Sequence, residues 1–134
     1  MVSDIIVNKV HVIERCLKRI GEEYQGSPAN LKNLTKQDSI ILNLQRACEA
    51  VISLAMHIVA ERGLGVPQFS REAFDLLEQN GIIEKALAKK LKAMVGFRNI
   101  AIHDYQKIDL DILQGIIETN LDDLRDFARI MLKL

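Results

Sequence analysis

No tryptophan occurs in this chain and aromatic residues make up only 4% of it, so the core must be assembled from Leu, Ile, Val and Ala. The formal charge at pH 7 is zero. That removes the global electropositive signature of a nucleic-acid binder and leaves any such affinity to local clusters. Cys16 and Cys48 lack the close spacing of a zinc or dithiol motif and read as buried thiols in a reducing compartment. No uninterrupted apolar stretch approaches the roughly 20 residues of a membrane span. The first residues show no basic segment followed by an apolar run and a small-residue cleavage site. A cytoplasmic protein without a membrane segment is expected. Gly63-Leu64-Gly65 has neither dinucleotide-fingerprint nor P-loop spacing, which argues against a glycine-rich phosphate cradle.

What is present is an ordinary folding composition, 49% apolar and 27% charged, with no repeats or low-complexity tracts. The 134 residues amount to a single domain over 1–134. Apolar residues recur at helical spacing. Ile6, Val10, Ile13, Leu17, Ile20 and Tyr24 mark a first helix, ended near Gly21 to Gly26 and the Ser27-Pro28 loop. A second helix, capped by Thr35 or Asp38, carries Ile41, Leu44, Cys48, Val51, Ala55 and Ile58. Between Ala47 and Ala60 it is apolar on most faces, as a central helix surrounded by others would be. Ser70 is the expected cap of a short helix through Leu77, closed by Asn80-Gly81. A fourth pattern runs from Ile83 through Leu87, Leu91, Met94 and Val95. Asp109 caps a last helix with Leu113, Ile117, Leu121, Leu124, Ala128 and Met131 on one side. These elements predict an all-α, up-and-down bundle of four long helices plus one short one.

Charge is unevenly distributed. From Glu84 to Lys107 the chain carries a net of four positive charges, and from Asp109 to Asp126 a net of five negative ones. The basic segment contains the most informative stretch, Arg98-Asn99-Ile100-Ala101-Ile102-His103-Asp104-Tyr105, where an apolar helix breaks off. Arginine is a permanent cation whose forked donors suit phosphate. Histidine exchanges protons near neutral pH. Together they point to phosphodiester chemistry or nucleotide binding, with Lys92 and Lys107 as flanking candidates for substrate contact.

Asn99 and His103 are four apart on one helix face, so Asn99 can hold the imidazole by a hydrogen bond. Arg98 and His103 are about 140° apart around an ideal helix and do not converge unaided. Two arrangements reconcile them. The helix can end near His103, leaving His103 and Tyr105 as strand-like neighbours. Alternatively, the second wall of the site comes from another subunit. Cleavage of RNA by 2′-hydroxyl attack needs one group to accept a proton and another to donate one, which two copies of His103 supply without a metal. His57 lies within an apolar helix and reads as a core or interface histidine, and His11 as a surface one. Asp38, Glu49 and Asp104 are possible supporting partners.

The Arg-Asn-x3-His-x-Tyr pattern at Arg98, Asn99, His103 and Tyr105 resembles that of the HEPN superfamily, and more closely its HepT branch. The likeness extends to Asp38-Ser39-Ile40, Arg46-Ala47-Cys48-Glu49-Ala50, Gly63-Leu64-Gly65-Val66-Pro67 and Arg71-Glu72-Ala73-Phe74. It implies a helical homodimer with the two motifs facing a shared cleft, and metal-independent cleavage of an RNA substrate, with no cofactor. Arg98 and His103 would be the catalytic pair, with Asn99 supporting. It further implies a toxin whose cognate partner is a MntA-type nucleotidyltransferase antitoxin, which uses ATP and magnesium to attach AMP to Tyr105. The alternatives are a non-catalytic nucleotide-binding or regulatory subunit of a nucleotidyltransferase, and a helical interaction module with a chance motif.

Overall fold

The structure, a computed structural model, describes residues 3–134. Among these, all regular structure is helical: α1 Asp4–Tyr24, α2 Leu34–Glu61, α3 Ser70–Gln79, α4 Lys85–His103, α5 Leu110–Thr119 and α6 Leu121–Leu132. Two 3₁₀ turns, Pro28–Lys32 and Tyr105–Lys107, precede α2 and follow α4. The stripes predicted for α1, α2 and the last two helices are buried, and that of α4 is buried apart from the half-buried Leu87. In α1 that stripe is Ile6, Val10, Ile13, Leu17, Ile20 and Tyr24, with Cys16 added. Ser3 caps α1 by accepting from the Ile6 backbone N–H at 3.3 Å. Gln25 closes it in the left-handed region, at φ 51°.

The start of α2 departs from expectation. Neither Thr35 nor Asp38 caps it. The preceding 3₁₀ turn delivers Asn33 to the cap position, where its side chain accepts from the Lys36 N–H at 3.1 Å. Asp38 therefore lies inside the helix, with its carboxylate free for tertiary work. Ser70 is likewise the first helical residue of α3 and not its cap. Phe69 occupies the cap position with no side-chain hydrogen bond.

The predicted last helix is divided into α5 and α6 at Asn120. No glycine or proline marks the junction. The first turn of α6 holds a buried acid, Asp123, only 7% exposed. It accepts from Asn120 Nδ2 at 3.0 Å and lies 3.6 Å from Lys90 Nζ on α4. A buried carboxylate needs such partners, and a helix N-terminus favours it. This contact also joins the basic α4 to the acidic α6, so part of the predicted charge asymmetry is neutralised internally.

Helix α2 touches α1, α3, α4 and α6 and forms the centre of the bundle. By length and composition alone it could cross a bilayer, with an 18-residue window of mean hydropathy 1.2. Just over half of that window, 56%, is buried inside the bundle against those helices. Two of the three core phenylalanines, Phe74 of α3 and Phe127 of α6, meet edge to face with centroids 5.8 Å apart. They anchor the short helix α3, which supplies one wall of the site.

Candidate functional site

Arg98 projects from α4 toward the start of α3 and is half-buried. Its Nε donates to Asn99 Oδ1 at 2.9 Å, and its Nη2 to Ser70 Oγ at 3.5 Å. Asn99 thus orients the arginine rather than the imidazole. Among the described residues no hydrogen bond joins Asn99 to His103. The guanidinium is fixed by neutral oxygens that leave its charge uncompensated, the state in which it can still attract an anion.

A second guanidinium approaches from α3. Arg71 Nε donates to the Lys92 backbone carbonyl at 3.2 Å, crossing α4 where it carries Gly96. A methyl group built on Gly96 would lie 2.9 Å from Arg71 Nη2, so the missing side chain leaves room for this crossing. Arg71 and Arg98 line one cleft of about 470 Å³ together with Phe69, Ser70 and Asn99. Lys92 does not serve as a free cation, because its Nζ donates to Asp75 Oδ1 at 2.7 Å. Arg71 is therefore the additional cation of this cleft. Lys107 is exposed in the turn after α4.

His103 is the last residue of α4 and is exposed. Among the described residues, no hydrogen bond or ion pair engages its ring. It does not line the Arg98 cleft, so a single chain does not converge its arginine and imidazole. The strand-like continuation does not occur either. Asp104, at φ −141° and ψ 49°, ends the helix, and Tyr105–Lys107 coil into a 3₁₀ turn.

That turn directs Tyr105 toward α2, where its hydroxyl donates to Asp38 Oδ1. The phenol is pushed up to about 12, first by partial burial and then by the neighbouring Asp38 carboxylate. It is accordingly neutral at physiological pH. Tyr24 has a similar environment in the core, donating to Glu118 and also pushed up to about 12, mainly by burial.

The remaining candidates fall away from the site. His57 Nε2 lies 3.0 Å from Glu61 Oε2 on the same helix, off the direction a hydrogen bond requires. His11 is exposed on α1. Cys48 lies close enough to Arg98 to feel its charge, but burial dominates and pushes the thiol up to about 12, which leaves it unreactive. Glu49 accepts from Gln45 at 3.0 Å. A larger polar groove of about 750 Å³ between α1 and α2 contains Lys9, Arg15 and Arg46, but no imidazole or phenol. Among the described residues, no group of three His, Cys, Asp or Glu side chains is placed to hold a metal ion.

The geometry has relatives. A family profile described as Ribonuclease HepT-like matches residues 11–131. The chain is 47% identical over 129 residues to the mRNA nuclease HepT of Shewanella oneidensis, covering 96% of this chain and 97% of that one. A solved structure of the tri-AMPylated Shewanella oneidensis HEPN toxin in complex with the MNT antitoxin superposes with a TM-score of 0.93 at 47% identity, covering 98% of this chain and 99% of that chain. A crystal structure of the toxin–antitoxin with AMP-PNP has the same TM-score of 0.93 at 47% identity, with 98% and 100% covered.

Proposed function

This chain belongs to the HepT-like ribonuclease family, and from that premise we propose that it is the toxin of a toxin–antitoxin pair. It is an endoribonuclease acting on RNA in the cytoplasm, silenced when a MntA-type nucleotidyltransferase attaches AMP to Tyr105. The name of the Shewanella relative supports messenger RNA as the substrate class. Its tri-AMPylated form in complex with MNT supports the partner and the modification. The nucleotidyltransferase would use ATP and magnesium for that transfer, whereas cleavage needs neither. We read residues 1–134 as one domain.

The observation that carries the cleavage assignment is the separation within one chain. Arg98 is held, still charged, in a cleft beside Arg71, while His103 stands exposed and unengaged at the end of the same helix. A complete site requires a second copy, whose His103 and Arg98 approach across a twofold. In the dimer one imidazole removes the 2′-hydroxyl proton and the other donates to the departing 5′-oxygen. The guanidiniums stabilise the charge that accumulates on the phosphorus-bound oxygens.

Substitution of Arg98 tests this assignment. Arg98→Ala is expected to cut RNA about 100- to 1000-fold more slowly, the usual cost of removing one preorganised donor to a transition-state oxyanion. Arg98→Lys restores only part of that loss, since a point charge lacks the fork that Asn99 and Ser70 orient. Cleavage of a fluorescent RNA by purified variants in chelator measures both. Wild-type rates in Arg98→Ala would remove the arginine from the mechanism.

A further inference from the structure

We propose that the Asp38 carboxylate is the general base for adenylylation of Tyr105, so that the protein itself carries part of the machinery that silences it. The inference rests on the reading of Tyr105 as the modified residue and concerns how its hydroxyl becomes a nucleophile. Asp38 is the sole hydrogen-bond acceptor of the Tyr105 hydroxyl among the described residues. It comes from a different helix, 67 positions earlier in the chain, and the packing of α2 against α4 sets the two side by side.

Three features suit Asp38 to the role. It is not committed to capping, because Asn33 already caps α2. Among the described residues it has no Lys or Arg partner, so its negative charge is not held by another cation. It is exposed, as is Tyr105 at 40%, so both can enter another protein's active site together. A base is needed because a phenol held near 12 supplies almost no phenolate at neutral pH.

In the proposed step, Tyr105 Oη attacks the α-phosphorus of ATP and the Oη–P bond forms. The bond from the α-phosphorus to the oxygen bridging to the β-phosphate breaks, and pyrophosphate leaves with that electron pair. The phenolic proton passes to Asp38 as the new bond forms. For a second or third AMP, the nucleophile would be a hydroxyl of the AMP already attached, so Asp38 should govern the first addition more than later ones.

The test measures the initial rate of the first adenylyl addition by intact mass, using the cognate MntA-type nucleotidyltransferase with ATP and magnesium. Asp38→Asn, which preserves size and polarity, is expected to be about 100-fold slower, at the lower end of general-base contributions. Asp38→Glu recovers part of the rate. Placing 3,5-difluorotyrosine at position 105, whose phenol ionises more readily, restores at least about tenfold to Asp38→Asn and changes the parent protein far less, because an acidified phenol depends less on a base.

A wild-type rate in Asp38→Asn overturns the proposal. So does a slow Asp38→Asn that fluorination fails to rescue, which would reduce Asp38 to a structural contact. Absence of any adenylyl addition at Tyr105 in the unaltered protein would instead overturn the assignment of Tyr105 itself, and the two failures are separable in one data set.

Discussion

Alanine at position 103 is expected to slow RNA cleavage by about 100- to 10 000-fold, the range that a positioned proton-transfer group contributes. The loss should lie in the chemical step. His103 is exposed and unengaged in its own chain, so its removal opens no cavity and breaks no intrachain hydrogen bond among the described residues. Thermal unfolding should accordingly be little changed, and RNA binding should survive through Arg71 and Arg98. His57→Ala and His11→Ala serve as controls, since both side chains lie off the site. Single-turnover cleavage at saturating protein separates the rate of cutting from affinity. If His103→Ala cut at the wild-type rate while His57→Ala did not, the proton transfer would have been assigned to the wrong imidazole.

Phenylalanine at position 105 should abolish neutralisation. The variant has no hydroxyl to accept AMP, so its intact mass should stay fixed when expressed with the nucleotidyltransferase, while the parent protein gains one or more adenylyl units. RNA cutting by the variant should persist in the presence of the antitoxin. The physical basis is both steric and electrostatic. On the proposed reading, each AMP on Tyr105 would add a phosphodiester charge and a purine two residues from His103, blocking the shared site of the dimer and offering its arginines an anion in place of substrate. Growth arrest on co-expression measures the outcome in cells. Full silencing of Tyr105→Phe would show that the antitoxin acts by binding alone.

The parts of this account legible in the chain were those that local spacing determines. The buried stripe of α1 followed from apolar residues at three- and four-residue steps, and the end of α4 from the break after His103. Caps were harder. Thr35, Asp38 and Ser70 all have side chains that favour helix starts, yet Asn33 and Phe69 occupy those positions because a 3₁₀ turn and the α2–α3 loop set where each helix begins. The division at Asn120 has no glycine or proline at the junction to mark it in the sequence.

The site showed the same contrast. Arg98, Asn99, His103 and Tyr105 stood out by residue type, but their partners did not. Ser70 with Arg98, Arg71 with the Lys92 carbonyl, and Asp38 with Tyr105 are all contacts between helices. Only the packing angles of the bundle bring them together. The small residue at Gly96 was the one local hint that something passes close to α4 at that point.

Reaction products interrogate the central claim most directly. A 2′-hydroxyl attack assisted by His103 and Arg98 leaves a 2′,3′-cyclic phosphate, or the 2′- or 3′-monophosphate from its opening, on one fragment and a 5′-hydroxyl on the other. Mass spectrometry of RNA fragments made by the purified protein in excess EDTA should show these ends, with the same cut sites in the absence and presence of magnesium. Fragments ending in 3′-hydroxyl and 5′-phosphate, or cutting that stops in EDTA and resumes with metal, would contradict it.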